Sequence, residues 1–138
     1  MHFQNPSETE IRQLLNEVQT IAVVGLSPQP SRPSFRVAQA LQSFGYKIIP
    51  VRPLVKDVLG DTAYPDLDSL PTRPDLVDVF RAPEFVPAIV DNCLRLGIKK
   101  LWLQDGVIDE ASALRAQQGG ILVVMNRCLW RDYVQLKI

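Results

Sequence analysis

Histidine is almost absent from this sequence, with one residue, His2, among 138. With its one histidine in the terminal segment, neither a Ser-His-Asp triad nor a metal site built from His and Cys is expected. Cysteine is nearly as scarce. Cys93 and Cys128 alone cannot form the disulfide framework of a secreted scaffold, and both are expected as reduced thiols. Net charge is also missing: 15 basic and 15 acidic side chains cancel. A neutral chain offers no general field for duplex nucleic acid or an anionic membrane, so any anion site must be a local cluster. Long apolar runs are absent too. The longest, such as IAVVG and ILVVM, fall far short of the ~20 residues of a membrane span. The opening MHFQNPSETE has no basic region and no apolar core, so a cytoplasmic location is expected rather than secretion. Nor is there a G-x-G-x-x-G fingerprint, whose second glycine admits the pyrophosphate of NAD.

What remains is the composition of a globular protein, 46% hydrophobic and 22% charged. The length suits one domain over residues 1–138, and no composition shift marks a second. Helical and strand patterns alternate. Residues 7–17 begin with a Ser-x-x-Glu capping box and place Ile11, Leu14, Leu15 and Val18 on one face. Residues 20–25 (TIAVVG) form a continuously apolar strand, as expected of a parallel strand covered on both sides. A proline-rich loop leads to a helix over 35–44, with Gly45 at its left-handed cap position. Strands are expected at 47–51, 76–80, 99–104 and 121–125. Helices are expected at 84–96, 109–118 and 129–136, and residues 52–74 read as loop. Strands joined by helix-length crossovers predict a Rossmann-like α/β three-layer fold, a parallel five-stranded sheet with helices on both faces.

In such sheets ligands bind beyond the carboxyl ends of the strands. That rule directs attention to residues 25–36, 51–56, 80–84 and 104–107. In the first segment Gly25 permits a tight turn, and the next helix offers free N–H groups and a positive dipole end. Ser27, Ser31 and Ser34 can donate to phosphate oxygens, and Arg32 and Arg36 add charge-assisted hydrogen bonds. The plainer alternative is a surface connection stiffened by its prolines. After the second strand stand Arg52, Pro53 and Lys56, where a NAD protein usually carries an acid. A basic residue there favours a phosphorylated ribose, the alternative being solvated charge. Arg81, after Phe80, is better placed for a ligand than for packing. Trp102 reads as core.

Together these stretches resemble the CoA-binding protein family, small stand-alone relatives of the CoA-binding domain of succinyl-CoA synthetase alpha chains. The matching segments are TIAVVGLSPQPSRPSFRVAQAL, GYKIIPVRP, VLGDTAYPDL, LVDVFRAPEFVPAIV, LWLQDGV and VVMNRC. The resemblance implies that Gly25, Ser27, Ser31, Arg32 and Arg36 take CoA phosphates. It implies that Arg52, Pro53 and Lys56 border the 3′-phosphoadenosine, and that Phe80, Arg81 and Ala82 follow the pantetheine path. Two departures stand out: RPLVK where relatives often have Asn-Pro and a nearby Lys, and Asn126 where an Asp is common. Synthetases add domains with a phosphorylated histidine, for which His2 is no counterpart. The expectation is a non-catalytic module for coenzyme A or an acyl-CoA, with no nucleic acid or membrane partner and no metal. The alternative is an NAD(P)-binding oxidoreductase or epimerase domain. Cys128 lies on the rim that would carry the ligand, next to Arg127 and a helix start, both features that favour a thiolate. It reads either as a thiol able to exchange with oxidised CoA or as a buried, inert cysteine.

Overall fold

The computed structural model describes residues 2–136. Ser7 opens the first helix, α1 (Glu8–Glu17), through the reciprocal capping box that its spacing to Glu10 predicts. The apolar run after it becomes β1 (Thr20–Val24), buried over its last four residues. Pro33, at the first helical position, where no N–H is needed, starts α2 (Pro33–Ser43) two residues earlier than the apolar pattern suggested. Next comes β2 (Lys47–Val51), parallel to β1 with Thr20 beside Lys47.

The stretch from 52 to 74 is less irregular than expected. A short antiparallel pair, β3 (Asp57–Val58) and β4 (Asp61–Thr62), folds there over a tight turn, and a 3₁₀ turn follows at Leu67–Ser69. Leu59 and Gly60 both take left-handed φ in the turn, so only Gly60 advertised it in sequence. The chain then forms β5 (Leu76–Val79), a 3₁₀ turn at Pro83–Phe85, and α3 (Val86–Leu96). Three further elements alternate as expected: β6 (Lys100–Leu103), α4 (Glu110–Gln118) and β7 (Leu122–Met125). The last helix is α5 (Leu129–Leu136).

All five long strands run parallel, in the order β2-β1-β5-β6-β7. Strand alternation splits the core into two layers. Ala22, Val24, Val77, Val79, Leu101 and Leu103 face α3 and α4, packing on Val86, Ile89, Val90, Cys93, Ala113 and Ala116. Ile21, Val23, Leu76, Trp102 and Val124 face α1, α2 and α5, packing on Ile11, Leu14, Leu15, Val37, Leu41 and Leu129. Trp102 is fully buried, as expected, and its Nε1–H donates to the Arg127 carbonyl at 2.8 Å. No helix among the described residues is long and apolar enough to cross a membrane.

Candidate functional site

The chain crosses from β2 to the opposite side of β1 by entering β5, so strand order reverses between β1 and β5. In an open parallel sheet this reversal leaves a crevice above the carboxyl ends. Here a cleft of about 670 Å³ occupies that place, lined from β1 outward by Gly25, Ser27, Arg32 and Ser34. Arg52, Phe80, Arg81 and Ala82 continue it, and Gln104, Val107 and Cys128 close its far end.

Gly25 sets the depth of the crevice. Its φ is 85°, and a Cβ there would stand 2.3 Å from the Phe80 carbonyl oxygen and 2.9 Å from Arg81 Cδ. Backbone hydrogen bonds hold it on both sides. Gly25 N–H donates to the Val51 carbonyl at 2.9 Å, and Phe80 N–H to the Val24 carbonyl at 2.8 Å. Beyond it the loop closes on itself. Ser27 N–H donates to Ser34 Oγ at 3.0 Å and Gln29 N–H to Ser27 Oγ at 3.1 Å. Both hydroxyls accept, so each keeps its own proton to donate. No side chain caps the start of α2, which leaves first-turn N–H groups and the positive dipole end turned to the cleft rim.

Three guanidinium groups line this basin. Arg32 is exposed at the start of α2. Arg52 is half-buried and donates through Nη1 to the Gly25 carbonyl at 3.3 Å. Arg81 is half-buried, its Cζ 3.9 Å above the Phe85 ring. Among the described residues none of the three forms an ion pair. The cleft's carboxylate, Asp105, is held by both terminal nitrogens of Arg131, at 2.8 and 2.9 Å. Those bonds hold the Asp105 carboxyl below the ordinary range. The basin therefore carries uncompensated positive charge against a helix N-terminus, an arrangement that receives phosphate.

Seven sequence candidates meet here: Gly25, Ser27, Arg32, Arg52, Phe80, Arg81 and Ala82. Ser31, Arg36, Pro53 and Lys56 are exposed and lie outside the lining. Arg36, the fourth residue of α2, is exposed, its Nη2 donating to the Ser31 carbonyl at 3.0 Å. Pro53 and Lys56 are carried outward where Leu54 turns the chain through a left-handed φ of 63°. The neighbouring charge expected to assist Cys128 is engaged elsewhere. Arg127 makes two hydrogen bonds to the buried Asp132, at 2.6 and 3.0 Å.

Two groups escaped the residue list drawn from sequence. Gln104, 3% exposed, lines the cleft, and its Oε1 accepts the Leu129 N–H at 3.0 Å. The strand-end rule singled out residues 104–107 but could not show which side chain turns inward. Asp78 is fully buried at the centre of β5, between Val23 and Trp102, with both carboxyl oxygens unpartnered among the described residues. Burial pushes its carboxyl well above the ordinary range. An acid inside the run LVDV was the available sign. Asn126 replaces its absent acidic charge with a hydrogen bond, its Oδ1 accepting the Gly106 N–H at 2.8 Å. Among the described residues no cluster of three or more His, Cys, Asp or Glu is placed to hold a metal ion.

Residues 19–133 match the family model described as a CoA binding domain. Uncharacterized protein YneT of Bacillus subtilis is 37% identical over 127 residues, 92% of this chain and 94% of that protein. An ADP-forming acetate–CoA ligase of Archaeoglobus fulgidus is 24% identical over 79% of this chain, which spans only 17% of the ligase. Among solved structures, a hypothetical protein from Pyrococcus horikoshii superposes with a TM-score of 0.92 at 30% identity, all of each chain being covered. A Thermus thermophilus protein gives 0.88 at 34% identity, covering 95% of this chain and 99% of its own. The five-stranded sheet, its reversal point and these matches agree: the chain belongs to the CoA-binding domain family.

Proposed function

We propose that the chain binds coenzyme A or an acyl-CoA across the carboxyl ends of its strands and acts as a binding module without chemistry of its own. The observation that carries this reading is the set of guanidinium groups, Arg32, Arg52 and Arg81, that form no ion pair among the described residues and stand around the open N-terminus of α2. CoA brings a pyrophosphate and a 3′-phosphate to such a basin. In this reading Gly25, Ser27, Ser34 and Arg32 receive the pyrophosphate, and Arg52 meets the ribose phosphate. Phe80, Arg81 and Ala82 guide the pantetheine arm. The ligase relative uses its matching segment as a small part of a much longer enzyme, which supports a binding role for the segment itself. Within the cleft, Asp105 is tied to Arg131 and is poorly placed as a base.

Thermal unfolding with CoA, dephospho-CoA, NADP and NAD tests the proposal. A ligand that binds only the folded state at 100 times its Kd adds about 2.7 kcal/mol of apparent stability. The expected order is CoA first, dephospho-CoA weaker, NAD without effect. A shift with NADP and none with CoA would replace this reading by that of a dinucleotide-binding oxidoreductase domain.

A further inference from the structure

We infer that Cys128 is the end point of the ligand's pantetheine arm and a site of reversible thiol–disulfide exchange with oxidised coenzyme A. The inference rests on the CoA reading above and adds a covalent step to it. Three observations lead there.

The first is reach. The phosphate basin lies beyond β1, and Cys128 follows β7, three strands away in the order β1-β5-β6-β7. Three strand spacings amount to about 14 Å. From its sulfur to the nearer phosphorus CoA has about thirteen bonds, on the order of 15 Å extended at ~3.5 Å per three bonds. An arm anchored at Gly25 and laid along the strand ends past Phe80 and Ala82 therefore brings its sulfur to the β7 end. Cys128 lines the cleft there, half-buried, at the turn into α5.

The second is Gln104, beside it in the same lining. Its amide orientation is fixed, because the atom that meets the Leu129 N–H must be the oxygen. That leaves Nε2 buried with no partner among the described residues. A buried donor without an acceptor is unfavourable, so the site is completed by a carbonyl. The arm carries two amide carbonyls, one of them close to the sulfur. The unfilled donor thus marks the thiol end of the cleft as a place built to receive a polar chain.

The third is the contrast with Cys93. That thiol is buried in α3, on the opposite face of the sheet, and burial pushes it up to about 12. It has neither access nor a cleft.

The chemistry balances without an added redox agent beyond the disulfide. Cys128 loses its proton to solvent, and the thiolate attacks one sulfur of the CoA disulfide. A new S–S bond forms as the old one breaks, and the departing CoA thiolate takes up a proton. One CoA stays attached and one leaves reduced. Holding the disulfide by its phosphates gives the exchange the advantage of proximity.

The test is intact-mass analysis of the full chain at mildly alkaline pH with CoA disulfide, alongside oxidised glutathione. One added CoA is expected, removed by dithiothreitol, absent in Cys128→Ser and retained in Cys93→Ser. The rate should exceed that with oxidised glutathione by about tenfold or more. Arg32→Ala should lower the CoA rate by a larger factor than the glutathione rate. Calorimetry with reduced CoA on the same samples separates the two readings. Reversible CoA binding without an adduct, with an adduct on Cys93, or with equal rates for both disulfides overturns the exchange site alone. Absence of any CoA binding overturns the exchange site together with the reading it rests on.

Discussion

Asp78 offers the sharpest test of the physical account. Its side chain sits at the centre of the sheet on the layer covered by α1, α2 and α5, and both oxygens lack partners among the described residues. Burying a neutral polar group without a hydrogen bond costs roughly 1–3 kcal/mol, and burying it ionised costs more. Asp78→Val keeps β-branching at a strand position and removes that cost. At pH 3, where the unfolded carboxyl is also largely protonated, the variant should be more stable by about 1–3 kcal/mol. For a chain of this size that is a Tm rise of about 3–10 °C. The pH dependence has a definite sign. The folded group holds its proton more tightly than the unfolded one, so its contribution is fully present below the unfolded pKa. It is lost as pH rises, at up to about 1.4 kcal/mol per unit, until the raised folded pKa is passed. The advantage of Asp78→Val must therefore grow from pH 4 upward and then level off. Asp78→Asn should remove the pH dependence but keep the unpartnered polar burial. Circular dichroism melts of the three chains at several pH values measure this. A Val variant less stable than the parent at every pH, or a difference flat with pH, would show that the carboxyl is satisfied and refute the reasoning.

Each of Arg32→Ala, Arg52→Ala and Arg81→Ala should weaken CoA binding by about 10- to 100-fold in calorimetry, from the loss of a charge-assisted bond of about 1.5–3 kcal/mol. Arg36→Ala and Lys56→Ala, outside the lining, should stay within about threefold of the parent. Gly25→Ala should lower stability by about 2 kcal/mol or more, read by urea titration, and impair CoA binding, because its Cβ meets the Phe80 carbonyl at a strained φ. Arg127→Ala should cost about 2–3 kcal/mol in the same titration. It strands the buried Asp132, and the figure falls below the ~3–5 kcal/mol for fully buried pairs because Arg127 is one-third open to solvent.

The fold was readable because its rules are local and periodic. Ser7 and Glu10 announce a helix start, IAVVG and ILVVM announce two-sided burial, and Gly45 and Gly97 mark helix ends. The β3–β4 pair escaped because two-residue strands have no period to detect. Leu59 carries a left-handed turn that glycine alone would have signalled. Strand-end logic located the rim, and seven of the eleven candidate residues line the cleft there, since the direction of a strand fixes where its following residue goes. It could not settle side-chain direction within a loop. Ser31 and Ser34 look alike in sequence, yet only Ser34 lies inside the first helical turn and points into the loop. Lys56 was displaced by the backbone turn at Leu54, a leucine in a conformation that its type does not foreshadow.

The strand order also governs what happens while the chain is being made. No two neighbouring strands in this sheet are joined by a hairpin, and the central pair is far apart in sequence: Thr20 meets Asp75 across 55 residues. When β2 emerges it closes one side of β1, but the other side waits for β5, which begins at Leu76, 25 residues beyond Val51. At about 5–20 residues per second that interval is about 1–5 s. Throughout it, β1 offers an unpaired backbone edge flanked by Ile21, Val23 and Val24, all destined for burial. No hairpin can cover it, because the partner does not yet exist. A ribosome-bound chaperone, or another nascent chain, therefore meets this protein first at the very strand whose end later carries Gly25.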